Sequence, residues 1–159
     1  MKTLLLWSAV AGLCAGFMAN SAVAEDNHFL GQWQWNKARS KLAPDEPAPQ
    51  DVRANIQNAD NGAIRWSAEI TDNNGRKHAE TFDGKPDGTF YPVQGAGDGV
   101  TAAFTWNGGT LQSVFKHPSG GADTQSCHVE ANNKTMACNG TWTDGKGVKE
   151  TYIDVYDRI

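Results

Sequence analysis

Short turn sequences divide most of this chain into segments of strand length. Clusters of Gly, Asn, Asp and Pro recur every eight to twelve residues, and sequences that favour helix are nearly absent. This spacing is typical of all-β sandwiches and barrels. The intervals between the turns accommodate about ten strands. The turn clusters lie at 59–62, 73–75, 83–84, 87–88, 95–99, 107–109, 118–121, 132–133 and 144–147.

Between the turns, apolar and polar residues alternate with the period of a β-strand. One apolar and one polar face is the antiparallel pattern. Because the hairpins are joined by short turns, we predict an antiparallel up-and-down β-barrel of 8–10 strands, which also leaves no exposed sheet edge. The apolar faces carry Ile64, Trp66, Ala68 and Ile70; Val100, Ala102, Phe104 and Trp106; and Leu111, Ser113 and Phe115.

Residues 1–24 have the pattern of a signal peptide. Lys2 precedes an apolar run, and Ala22-Val23-Ala24 forms a cleavage motif before Glu25. The run is too short for a membrane anchor. Cys14 raises a lipoprotein alternative, but Leu13 before it does not suit that modification. We therefore expect no integral membrane segment, export to the periplasm or the extracellular space, and one mature domain over 25–159.

The charge of the chain excludes some partners. The sequence has 14 basic and 18 acidic side chains, and removal of the leader takes away only Lys2, which leaves 13 against 18 and a formal charge of −5. No stripe of basic residues is present. Nucleic acid and anionic membrane surfaces are therefore not expected as partners. The sequence does not identify a protein partner.

Two cysteines, Cys127 and Cys138, remain after the leader. A turn at 131–134 lies midway between them, so they face each other on paired strands. Facing positions on antiparallel strands lie about 4.5–5.5 Å apart at Cα, within disulfide range. We predict a disulfide that contributes roughly 2–3 kcal/mol. The alternative, a metal or redox pair, lacks a C-x-x-C motif.

A proline-rich segment follows the first predicted strand. Residues 37–50 include Pro44, Pro47 and Pro49 together with several charged side chains. Because proline removes backbone donors from a sheet, we predict a loop here. It is either a lid over one end of the barrel or a strap along the surface.

Three stretches carry a family resemblance. Residues 31–42 resemble the G-x-W-x-x-N-x-x-x-S-K opening of small secreted bacterial lipocalin-like (calycin-type) β-barrel proteins, most of them without an assigned activity. Residues 82–95 resemble that group's aromatic-D-G-K segment followed by Y-P-V-x-G, and 133–158 resemble its final hairpin. The resemblance implies a lipocalin-like barrel over nearly all of the mature chain. Its motifs are turns and core positions, which indicate fold more than chemistry.

The resemblance also implies roles at the closed end of the barrel. Lipocalins place the opening tryptophan beneath an arginine from the last strand. In this chain Trp33, two residues after Gly31, corresponds to that tryptophan, and Arg158 corresponds to that arginine. A cation–π contact between them is worth about 0.5–2 kcal/mol. We expect all three residues to be structural.

Aromatic side chains on the inward-facing positions point to a binding pocket. A barrel of this size holds either its own side chains or one small ligand. We therefore predict an exported binding protein whose partner is a small apolar or amphipathic molecule, with no cofactor and no metal. In the alternative, the rings only fill the core. The predicted ligand-binding residues are Trp66, Phe104, Trp106, Phe115 and His117.

Two other functions stay open. His78 and Glu80 share one strand face and, with His117, could serve a barrel-cavity isomerase or hydrolase. Residues i and i+2 on one face are, however, what any strand provides, and neither an H-E-x-x-H nor a G-x-S-x-G motif is present. We therefore assign no catalytic residue. The last possibility is an envelope protein-interaction or inhibitor module acting through its loops.

Overall fold

A computed structural model describes residues 27–43 and 47–159. The predicted signal peptide at 1–24 lies outside the described residues. Within them the chain is all-β, with one short 3-10 turn at Asp60–Gly62, and no helix is long and apolar enough to cross a membrane. The ten strands are Gly31–Trp35 (β1), Asp51–Asn58 (β2), Ile64–Thr71 (β3), Lys77–Gly84 (β4), Tyr91–Pro92 (β5), Thr101–Asn107 (β6), Thr110–Lys116 (β7), Ala122–Val129 (β8), Thr135–Thr143 (β9) and Lys149–Arg158 (β10).

The strands form one antiparallel sheet that curls into a nearly closed barrel. Its order is β4-β3-β2-β1-β10-β9-β8-β7-β6-β5, so strands that are neighbours in sequence are also neighbours in space. The first strand pairs with the last, β10. A single bridge between Thr81 and Gln94 joins the two sheet edges, with both backbone hydrogen bonds at 2.9 Å. The predicted up-and-down barrel of 8–10 strands is confirmed.

Because every pairing is antiparallel, the connections alternate between two ends of the barrel. The end where β1 begins and β10 finishes is called the closed end; the turns at 59–63, 108–109 and 130–134 lie there. The opposite end is called the far end. It carries the two described parts of the long connection between β1 and β2, 36–43 and 47–50, and the turns at 72–76, 117–121 and 144–148.

Trp33 and Arg158 organise the closed end. The Trp33 ring has no exposed surface, and its Nε1 donates a 2.8 Å hydrogen bond to the carbonyl oxygen of Phe29. The guanidinium carbon of Arg158 lies 4.1 Å from the Trp33 ring centroid. Gly31 has a positive φ of 125°, and a Cβ there would lie 2.6 Å from Nη1 of Arg158. The arrangement that the family resemblance implies is thus present.

Arg158 also holds the backbone that covers the closed end. Its Nη1 donates to the carbonyl of Leu30 at 2.6 Å and its Nε to that of Asn133 at 2.7 Å, while Nη2 donates to the carbonyl of His28. One planar side chain therefore ties the segment before β1 to the β8–β9 turn.

A disulfide links the two strands that follow the far-end turn at 117–121. Cys127 in β8 and Cys138 in β9 face each other in register and are bonded, as predicted. Both side chains are buried and point into the barrel. The turn between these strands fixes the register, because it places the two positions opposite each other.

The proline-rich connection is attached to β10 through its first residues. Lys41 pairs with Ile153 through two backbone hydrogen bonds of 2.7 and 2.8 Å. The Ser40 hydroxyl accepts from the backbone N–H of Val155. Residues 44–46 lie outside the described part of the chain, and beyond them Pro49 contributes to the wall of the barrel interior.

Candidate ligand cavity in the barrel interior

The interior of the barrel contains a cavity of about 300 Å³. Small-molecule sites usually span about 300–1,000 Å³, so this cavity suits a compact ligand. Most of its wall is aliphatic or aromatic. The lining residues are Pro49, Val52, Ala54, Ile56, Trp66, Ala68, Ile70, Glu80, Ala96, Val100, Phe104, Leu111, Ser113, Phe115, His117, Asp123, Gln125, Cys127, Met136, Cys138 and Tyr156.

Three aromatic rings form one wall of the cavity. Trp66 of β3 meets Phe115 of β7 edge to face, with ring centroids 5.7 Å apart. Phe104 of β6 lies 6.3 Å from Trp66 and 5.9 Å from Phe115. Each ring sits on the inward parity of its strand, which is why they converge. The edge-to-face geometry is favourable for aromatic pairs, so this wall is preorganised for apolar groups.

Two polar side chains, Asp123 and Gln125, form another part of the wall, and Tyr152 bonds to both without lining the cavity. The Tyr152 hydroxyl donates to the Asp123 carboxylate at 2.7 Å. Nε2 of Gln125 donates to Asp123 at 2.9 Å and to the Tyr152 oxygen at 2.8 Å. Burial raises the pKa of Asp123 above its usual 3.8, and the donors Tyr152 and Gln125 and the charge of His117 lower it in part. Burial also raises the pKa of Tyr152, and the Asp123 charge adds to that rise, so the phenol remains a donor.

A glycine in β9 makes this polar group possible. Tyr152 lies in β10 and Asp123 in β8, and Gly140 faces Tyr152 in the strand between them. A Cβ at position 140 would overlap the Tyr152 ring. The missing side chain therefore lets the phenol cross β9 and reach Asp123.

Three further polar side chains reach the cavity. His117 lies at the end of β7, with its ring 5.1 Å from that of Trp142 in an edge-to-face contact. Oε1 of Glu80 is 3.5 Å from Nε2 of His78. Ser113 is only 4% exposed, and its side chain lines the cavity. His117 and Asp123 lie toward the far end, whereas Glu80 is at the middle of β4.

The cavity brings together most of the side chains predicted to bind a ligand. Trp66, Phe104, Phe115 and His117 all line it. Trp106 does not: it stands beside the 108–109 turn at the closed end, with its ring 5.3 Å from that of Phe29. Trp106 is on the inward face of β6, but it lies too close to the closed end to line the cavity.

Sequence reasoning missed Asp123 and Gln125 in the polar part of the wall. Asp123 and Gln125 share the parity of Cys127, which was expected to face inward, so the same alternation could have identified them. Tyr152 gave a weaker signal, because its reach across β9 depends on Gly140 in the neighbouring strand.

The structure also bears on the alternative functions. Glu80 and His117 line the same cavity, whereas the side chain of His78 is 43% exposed and does not line it. Among the described residues no group of three His, Cys, Asp or Glu side chains could hold a metal ion. The interaction-module alternative predicts a filled barrel, which the cavity does not support.

Comparison with known proteins places the fold. At the level of sequence, no family profile and no curated protein matches the chain. Among solved structures, the wild-type fluorescent protein UnaG superposes with a TM-score of 0.53 at 17% identity, over 82% of this chain and 97% of UnaG. EF1p2_mFAP2b, solved bound to DFHBI, gives a TM-score of 0.50 at 12% identity, over 83% of this chain and 94% of its own. These likenesses show the lipocalin- or calycin-like barrel fold alone.

Proposed function

We propose that this protein is an exported binding protein that holds one small apolar or amphipathic molecule in its barrel cavity. The observation that carries the proposal is the cavity of about 300 Å³, with aromatic and aliphatic walls and a few polar groups on one side. EF1p2_mFAP2b, which shares the fold, was solved with a small molecule bound.

The cavity size sets the expected affinity. Burying one methylene is worth about 0.8 kcal/mol, so a chain of about eight carbons gains about 6 kcal/mol before the cost of its lost motion. That gain corresponds to dissociation constants of tens of micromolar or weaker for a simple aliphatic ligand. Tighter binding requires aromatic stacking or a polar contact with the ligand.

Intrinsic fluorescence gives a direct test. Trp66 lines the cavity, so a bound molecule should change tryptophan emission. We would titrate the mature protein with fatty acids, retinoids and environment-sensitive dyes. A saturable change with one site per chain supports the proposal, and no saturable response across the panel contradicts it.

A pair of matched variants locates the binding. Ala68 lines the cavity, and the exposed Ala79 lies on the outer face of the adjacent strand β4. Ala68→Leu adds bulk to the cavity and should weaken binding, whereas Ala79→Leu adds the same bulk outside and should not. Equal effects of the two variants would place the bound molecule on the outer surface.

The export part of the proposal rests on sequence. The signal-peptide pattern at 1–24, the disulfide between Cys127 and Cys138, and the resemblance to secreted bacterial barrels support it. Intact-mass analysis of protein from its own host should find a chain that begins at Glu25 with both cysteines oxidised. A retained leader with free thiols would contradict export.

A further inference from the structure

The charged side chains that line the cavity are mostly acidic. Asp123 and Glu80 both reach it, and His117 is the one basic side chain in its described wall. Neither lysine nor arginine appears among those lining residues. The cavity therefore offers carboxylates without a permanent cation of the protein to balance them.

The hydrogen bonds around these carboxylates leave their charge largely uncompensated. Asp123 accepts from two neutral donors, Tyr152 and Gln125. Glu80 is 21% exposed, and its Oε1 lies 3.5 Å from Nε2 of His78. Desolvation of a carboxylate is unfavourable unless a positive charge or strong donors balance it. Burial accordingly raises the pKa of Asp123, and a bound cation would oppose that rise.

A separate observation points to a polar group of a ligand. Ser113 is only 4% exposed, and its side chain lines the cavity. A serine hydroxyl oxygen carries two acceptor lone pairs, so it can accept a bond from a molecule in the cavity.

The two kinds of wall are arranged along the barrel. Asp123 near the start of β8 lies toward the far end, and Glu80 is at the middle of β4. Leu111 and Met136, near the starts of β7 and β9, lie toward the closed end. A molecule that places its apolar part toward the closed end therefore leaves its polar end at the level of the carboxylates.

We infer that the ligand class of this cavity is an amphipathic amine, whose ammonium group is balanced by Asp123 and Glu80 while its apolar part packs on the aromatic wall. This inference rests on the proposed function and adds the charge of the ligand to it. Ser113 supplies a further acceptor for an N–H of the ligand. A carboxylate ligand is disfavoured, because its charge would meet two carboxylates in a partly desolvated site. A neutral alcohol loses only the ionic part of the interaction.

Three probes of equal length separate these cases. Octylamine, octanol and octanoate carry the same chain with a positive, neutral or negative end. Isothermal titration calorimetry at neutral pH and fixed salt should give an affinity for octylamine at least about tenfold above that for octanol, as expected for a hydrogen bond to a charged group. Octanoate should bind most weakly.

Charge-removing variants assign the effect to the cavity. Asp123→Asn and Glu80→Gln keep shape and remove charge, and each should lower octylamine affinity by about fivefold to tenfold while octanol changes less than about twofold. Glu69→Gln removes an exposed carboxylate from the outer face of β3 and is the matched control. Thermal melting verifies folding, and Glu80→Gln carries the test if Asp123→Asn is unstable.

The outcomes distinguish this inference from the function on which it rests. If octanoate binds as tightly as octylamine, or if Glu69→Gln acts as strongly as the cavity variants, the inference of an amine ligand is overturned while cavity binding stands. The inference is also overturned if Ala68→Leu abolishes octylamine binding but neither Asp123→Asn nor Glu80→Gln weakens it. If none of the probes and none of the fluorescence panel binds, both proposals fail.

Discussion

Replacing Arg158 tests how the closed end is held together. Arg158→Met keeps the apolar stem of the side chain and removes the guanidinium group. The guanidinium carbon stands 4.1 Å from the Trp33 ring centroid and the group donates to the carbonyl oxygens of Leu30, Asn133 and His28. The variant therefore removes one cation–π contact and three charged hydrogen bonds.

The contacts give the size of the effect. A cation–π contact contributes about 0.5–2 kcal/mol. The bond to Leu30 is partly buried, and a charged hydrogen bond of this kind is worth about 1.5–3 kcal/mol. The bonds to Asn133 and His28 are exposed and contribute less. We expect Arg158→Met to lower the free energy of unfolding by about 3–4 kcal/mol, a large part of the ~5–15 kcal/mol of a typical domain.

Thermal and urea unfolding of the oxidised mature protein measure this loss. For a domain of this size the change corresponds to a melting temperature about 10 °C lower. Arg158→Lys keeps a charge but loses the planar donors, so it should fall between the wild type and Arg158→Met. Arg65→Met is the control, because Arg65 is exposed and pairs with Asp83 on the outer surface. A loss for Arg158→Met no larger than that for Arg65→Met would refute the reasoning.

Three further predictions concern the barrel interior. Replacing Cys127 and Cys138 by alanine should lower the free energy of unfolding by roughly 2–3 kcal/mol, as measured by urea unfolding, and a reducing agent should destabilise only the wild type. Gly140→Ala should cost about 1–3 kcal/mol, because the new methyl overlaps the Tyr152 ring, and Tyr152→Ala in the same chain should remove most of that cost. Because burial raises the pKa of Asp123 in the folded state, the folded protein binds more protons, and this group's contribution to stability falls as pH rises above 3.8. The free energy of unfolding of Asp123→Asn should therefore rise relative to that of the wild type between about pH 4 and about pH 7. Urea unfolding at both pH values measures this difference.

Each of these has an outcome that contradicts it. Equal stability of the reduced and oxidised wild type would show that the disulfide adds nothing to the barrel. A cost of Gly140→Ala that Tyr152→Ala does not relieve would place the strain elsewhere. A stability difference between wild type and Asp123→Asn that is constant with pH would mean that the Asp123 pKa is the same in the folded and unfolded chains.

Much of the barrel could be predicted because strand alternation is a local property. The alternation of apolar and polar residues in β3, β6 and β7 is enough to predict that Trp66, Phe104 and Phe115 face inward, and all three line the cavity. The turn at 131–134 fixed the register of Cys127 and Cys138. Both inferences need only the geometry of one hairpin.

The details of the site were harder to predict, because they depend on more than one strand. Parity gives the face of the sheet on which Trp106 lies but not its height, and its contact with Phe29 depends on the segment before β1. The polar wall requires Asp123 in β8, Gly140 in β9 and Tyr152 in β10 to lie at one level. A single sequence does not give that alignment across three strands.

The pairing of β1 with β10 has a consequence for how the barrel is completed. Most other pairings are hairpins between consecutive strands, which form with little loss of loop entropy. The contact between Trp33 and Arg158, by contrast, joins the first and last strands of the chain. During synthesis from the N-terminus, the Trp33 ring lacks its contact with Arg158 until β10 has been made. A chain truncated before Arg158 also lacks the hydrogen bonds that tie the segment before β1 to the β8–β9 turn.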